Sequence, residues 1–170
     1  LAWDEVGWDL AEGRAHFASL GMTVEGMQTA RNAVTHPLAP IDAVMGINLD
    51  SEPQRWMNLQ READRLGVGW RLERVAAAFT PDNPQIGRLL SWRAAVAEAS
   101  RRGLDSVLVL DDEVKFDVDA FARLAAIVPD LVARDWHLIH LSGSVALEPQ
   151  AVAIHARAFA ALLDAIPDQS

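Results

Sequence analysis

The chain has 170 residues, 51% of them hydrophobic and 23% charged, enough for one compact domain with a core and a small appendage. The 15 basic residues against 24 acidic ones leave a net charge of −9, which argues against a general binder of nucleic acid or of an anionic membrane. With no cysteine, disulfides and thiolate metal sites are excluded, and no stretch has the length of a transmembrane helix.

Residues 1–36 read as helical, with Met27, Ala30 and Val34 on one face and a break near Gly21. The two prolines of His36-Pro37-Leu38-Ala39-Pro40 cannot continue a helix, so residues 1–40 read as a helical extension with a linker and residues 41–170 as the compact domain. The extension suits a homo-oligomer contact or the tail of an upstream domain, and the sequence leaves both open. No signal peptide is visible, and the chain opens on Leu1 rather than Met, as a fragment or processed form would.

From Ile41 the pattern alternates. Residues 41–49 read as a strand, and Ser51 with Gln54 as a capping box for a helix whose apolar face is Trp56, Leu59, Ala63 and Leu66. Residues 70–79 predict a second strand. Pro81-Asp82-Asn83-Pro84 is a turn into a helix that carries Leu89, Trp92 and Val96 on one face and ends at Gly103. Residues 106–110 are a third strand. Asp117 is placed to cap the next helix, with Phe121, Leu124, Ala125 and Val128 inward. Residues 136–141 and 151–154 complete the strands, and Phe159, Leu162, Leu163 and Ile166 face inward from a last helix. Strands alternating with helices predict an α/β domain, a mostly parallel sheet flanked by helices.

The richest stretch is Val107-Leu108-Val109-Leu110-Asp111-Asp112-Glu113-Val114. An apolar run of this kind is a strand covered on both faces, and it ends in three acids where open α/β sheets bind ligands. Three adjacent carboxylates repel one another; solvent offsets that, and so does a divalent cation with hard oxygen ligands, magnesium or manganese. Asn48 and Asp50 sit at the end of the first strand and Arg55 follows in the next helix, an amide, a carboxylate and a guanidinium for a base, ribose or phosphate. Taken alone, Arg55 reads first as a surface helix residue. His155 lies between a strand and the last helix, in place either to cap and pack or to join the acids at a metal. Trp92 reads as core by default. There is no glycine-rich phosphate loop, zinc motif or serine elbow.

Three blocks together resemble glycosyltransferase family 25, the lipopolysaccharide and collagen glycosyltransferases. They are Ile47-Asn48-Leu49-Asp50 with Arg55; Ile86-Gly87-Arg88-Leu89-Leu90-Ser91-Trp92-Arg93-Ala94-Ala95; and Leu108-Val109-Leu110-Asp111-Asp112-Glu113-Val114. The segment Ala153-Ile154-His155 to Leu163 adds a fourth. The resemblance implies a GT-A-like fold, a nucleotide-sugar donor such as a UDP-sugar, a divalent metal and a glycan acceptor, a lipopolysaccharide or other surface sugar. It implies a cytoplasmic location, at most peripheral to the inner face of the membrane. Carried over residue by residue, Asp111 and Glu113 with His155 would hold the metal, Asp112 would be catalytic, and Asn48, Asp50 and Arg55 would line the nucleotide. Arg88 and Trp92 stand where the family has cysteine and histidine, and the acid order differs. These departures motivate a second reading, a degenerate glycosyltransferase-like module that binds or scaffolds without turnover.

Overall fold

The computed structural model describes residues 36–141 and 150–166. The expected N-terminal helices lie outside the described residues. Strand β1 (Ala43–Asn48) leads to helix α1 (Pro53–Arg65); a 3-10 turn (Gly69–Arg71) precedes β2 (Leu72–Ala76). Helix α2 (Pro84–Arg101), β3 (Ser106–Asp111), α3 (Ala120–Val132), β4 (Leu138–His140), β5 (Ala151–His155) and α4 (Ala156–Ala165) follow. The strands form one sheet in the order β2-β1-β3-β5-β4, so the domain is α/β with a five-stranded mixed sheet.

Strands β1 and β3 are buried at every residue, because helices cover both faces. Side chains alternate between the two layers. Val44, Leu108, Leu110 and Ala153 meet Leu59 and Ala63 of α1, Leu66 at its C-cap, and Leu124 and Val128 of α3. Met45, Ile47, Val107, Val109 and Ile154 meet Ala95, Val96 and Ala99 of α2 and Ala158 and Phe159 of α4. Gly46 makes the first layer tight: a Cβ there would lie 2.6 Å from Leu59 Cδ2 and 2.9 Å from a ring carbon of Trp56, so α1 is seated directly on β1.

Several sequence expectations are corrected in detail. Helix α1 starts at Pro53 with Glu52 as N-cap and no side-chain cap bond, so Ser51 does not form the expected box; Pro at the first position already dispenses with one orphan N–H. Trp70 belongs to the 3-10 turn and is 84% exposed, and Phe79 lies beyond β2. Helix α3 begins at Ala120 after Asp119, which makes no side-chain cap bond, and Phe121 and Ala125 are exposed. Gly103 does end α2, with φ of 67°.

The sheet is mixed because of β5. Strands β2, β1 and β3 are mutually parallel, but β5 is antiparallel to both β3 and β4. The linking stretch 141–150 is shorter than the dozen or so residues that a parallel crossover requires, so the chain reverses instead.

Candidate functional site

The parallel pairing of β1 and β3, with Ile47 opposite Asp111, brings two distant segments to one edge of the sheet. Asn48, 2% exposed, is the hub. Its Nδ2 donates to Asp112 Oδ2 at 2.6 Å and to the Glu52 carbonyl at 3.0 Å, and its Oδ1 accepts from Arg74 Nε at 3.1 Å. Every polar hydrogen of this amide is used, as burial demands. Arg74 also donates to the Asn48 carbonyl at 3.0 Å and to Asp50 at 2.6 Å, so Asp50, though largely exposed, is tied to the same knot.

The three acids are each held differently. Asp111 is 7% exposed; its Oδ1 accepts from the Glu113 amide at 3.0 Å, shaping the turn, and its Oδ2 lies 3.4 Å from Arg88. Burial pushes the Asp111 carboxyl above the ordinary aspartate range, the charges of Asp112 and Glu113 push the same way, and the Glu113 N–H and Arg88 oppose them. Glu113 pairs with Arg55 at 2.8 Å, and the same guanidinium is 3.8 Å from Asp112. Two arginines, one from α1 and one from α2, thus offset the repulsion of three carboxylates.

A buried anchor sits behind the acids. Glu62 of α1, 7% exposed, accepts from the Phe116 amide at 3.1 Å and from Arg65 at 3.0 Å, with Lys115 at 3.6 Å. It fixes the loop that leaves the acid cluster. Neither Glu62 nor Arg74 was singled out by the sequence reading. A glutamate among the apolar positions of α1 was the only available signal for the first; an arginine inside a short strand was the signal for the second.

Two residues of the Gly87–Trp92 block share one task. Ser91 Oγ accepts from the Ala78 amide at 2.8 Å and donates to the Gly87 carbonyl at 2.6 Å. A Cβ on Gly87 would lie 2.6 Å from the Ala78 carbonyl. Both therefore clamp the segment after β2 against α2, which positions Arg88 beside Asp111.

The structure brings Asn48, Asp50, Arg55, Asp111, Asp112 and Glu113 together. His155 is not among them. It stands opposite Ser106, at the other end of β3, five residues or about 16 Å of strand from Asp111. A divalent ion binds oxygen ligands at about 2.0–2.6 Å, so His155 cannot share an ion with the acids. Its Nδ1 instead accepts from the Arg157 amide at 3.2 Å as the N-cap of α4, and its ring meets Trp136 edge-on with centroids 5.0 Å apart.

The donor chemistry of the acids suits magnesium or manganese, all oxygen and all carboxylate. Among the described residues no three metal-ligating side chains converge on a common point. In this arrangement the outward oxygens of Asp111 and Glu113 face Arg88 and Arg55, and an ion would have to displace them. Among the described residues no helix is long and apolar enough to cross a membrane. No protein-family model matches the chain, and no curated protein matches it.

Proposed function

We propose that the chain is a glycosyltransferase that moves a sugar from a nucleotide-sugar donor to a saccharide acceptor, with the donor diphosphate at the C-terminal ends of β1 and β3. The observation that carries this reading is the bonded cluster of Asn48, Asp50 and Arg55 with Asp111, Asp112 and Glu113, drawn from segments 64 residues apart. That edge is where α/β sheets take ligands. The donor class is the ground for placing the protein in the cytoplasm.

In this reading Arg55, about half exposed, turns from Glu113 to the diphosphate, which it matches as a two-pronged donor. A divalent cation held by Asp111 and Glu113 would neutralise the leaving diphosphate. Asp112, held as an acceptor by Asn48, takes the proton of the acceptor hydroxyl. The hydroxyl oxygen then bonds to the anomeric carbon, and the carbon–oxygen bond to the diphosphate breaks. The second reading, a binding module without turnover, is favoured by one observation: Arg88 lies against Asp111, at the oxygen an ion would use.

Calorimetric titration of uridine diphosphate, with and without manganese, tests the reading. Metal-dependent binding that disappears in Asp111→Asn supports it. Failure of uridine diphosphate and of every other nucleoside diphosphate under both conditions rejects the donor site.

A further inference from the structure

Helix α1 meets the segment that carries the acids at two places. Near its start, Arg55 lies 2.8 Å from Glu113 and 3.8 Å from Asp112. Two turns on, Glu62 accepts from the Phe116 amide at 3.1 Å, and Arg65, one turn further, donates to the Phe116 carbonyl at 3.3 Å. Both backbone groups of one residue are thus taken by a Glu–Arg pair that is itself bonded at 3.0 and 3.1 Å. The spans agree. Arg55 and Glu62 are seven residues apart, about 10.5 Å of helix rise. Glu113 and Phe116 are three apart, about 10 Å of extended chain. The segment therefore runs alongside α1 and is fastened at both ends.

The two fastenings differ in kind. Arg55 and Glu113 are each about half exposed, and an ion pair in water is weak and exchangeable. Glu62 is 7% exposed, and its release would leave both a buried carboxylate and the Phe116 amide without a partner. Between them Val114, 2% exposed, donates its amide to the Asp111 carbonyl at 3.1 Å, and the Glu113 amide donates to Asp111 Oδ1. A displacement of Phe116 is therefore passed to the turn that shapes the acids. The weak contact is also the one that donor binding breaks, since Arg55 turns from Glu113 to the diphosphate.

We propose that Glu62, braced by Arg65, is a positioning residue of the donor site: it keeps the acids in place when Arg55 leaves Glu113 for the diphosphate. This role rests on the donor-site reading. The two-point hold on the segment does not, and it is tested without nucleotide.

Arg55→Ala empties the first contact, as the diphosphate would. Amide hydrogen exchange of the full chain is compared in Arg55→Ala, in Arg55→Ala/Glu62→Met and in Arg55→Ala/Glu62→Gln. Methionine keeps the length of the side chain and removes the acceptor; glutamine keeps an acceptor for the Phe116 amide. Exchange at Glu113 and Val114 is expected to stay within about twofold of the native rate in Arg55→Ala, and to rise about tenfold when Glu62→Met is added. Glu62→Gln restores the slow rate, and Val107 to Val109 of β3 are unchanged throughout. Should Glu62→Met not fold, Arg65→Met takes its place, Arg65 being half exposed, with an expected rise of about threefold. Rates in the double variant that match those of Arg55→Ala overturn the proposal. So does a rise that extends equally through β3, the mark of general destabilisation.

Manganese is then titrated into the native protein and the Glu62 or Arg65 variant, with and without uridine diphosphate. Glu62→Met is expected to weaken manganese about tenfold with the nucleotide and less than about twofold without it, a split that a merely structural role would not produce. Equal manganese affinities of native protein and variant in the presence of nucleotide overturn the role alone. A native protein that binds no nucleoside diphosphate rejects the donor-site reading, and this role with it, even where the exchange pattern is as expected.

Discussion

Asn48→Ala is the sharpest probe of how the site is assembled. The substitution removes three hydrogen bonds at once, from Nδ2 to Asp112 and to the Glu52 carbonyl and from Arg74 to Oδ1. Two involve charged partners, about 1.5–3 kcal/mol each, and one is neutral, about 0.5–1.5 kcal/mol. Because Asp112 and Arg74 keep some exposure, water recovers part of this, and the expected net loss is about 2–4 kcal/mol. Asn48→Asp is of similar cost for another reason: it sets a carboxylate against Asp112 where a donor stood 2.6 Å away. Adding Asp112→Asn restores a donor–acceptor pair with the roles exchanged. The double variant is therefore expected to regain about 1–3 kcal/mol relative to the sum of the single variants. Urea unfolding midpoints at constant slope measure each corner of the cycle. Additivity within about 0.5 kcal/mol would refute the contact between the ends of β1 and β3.

Ser91→Ala leaves the half-buried Ala78 amide without its acceptor, and a loss of about 0.5–1.5 kcal/mol is expected in the same unfolding assay. Asp111 has a raised carboxyl, so the stability tied to it is complete below the ordinary aspartate value and is lost as pH rises through the elevated folded value. Asp111→Asn should accordingly melt higher than the native protein at neutral pH, with the gain shrinking toward acid pH; a lower melting point at neutral pH would count against the burial argument. His155→Ala should cost about 1 kcal/mol through the lost cap of α4 and leave manganese-dependent nucleotide binding unchanged by calorimetry. Arg88→Ala frees Asp111 Oδ2, and manganese affinity, followed by electron paramagnetic resonance of the free ion, should rise; an unchanged affinity would mean that Arg88 does not compete with the metal.

Much of the fold was legible because its signals are local. Val107 to Leu110 reads as a strand covered twice, and the apolar spacing of Leu59, Ala63 and Leu66 reads as a helix face. The sense of β5 was not legible, since strand direction is set by the length and path of the connection rather than by the strand's own residues. A fifth strand parallel to β3 would end beside the acids; β5 runs the other way, and His155 stands at the far end of β3. The site itself was half readable. Residues at strand ends, Asn48 and Asp111 to Glu113, announce themselves by an abrupt change from apolar to polar. Arg74 and Glu62 do not, because a long side chain that reaches from mid-element to a neighbouring strand or loop leaves no periodic trace. Arg88, read as a departure from a motif, has a role visible only in three dimensions, as the counter-charge to Asp111.

The most direct test of the donor site is a nuclear magnetic resonance titration of the labelled full chain with manganese in the presence of uridine diphosphate. Paramagnetic broadening strongest at the amides of Asn48, Asp50 and Asp111 to Glu113, and weaker at His155, is the result the account requires. Broadening centred elsewhere, or none beyond that of manganese free in solution, would contradict it.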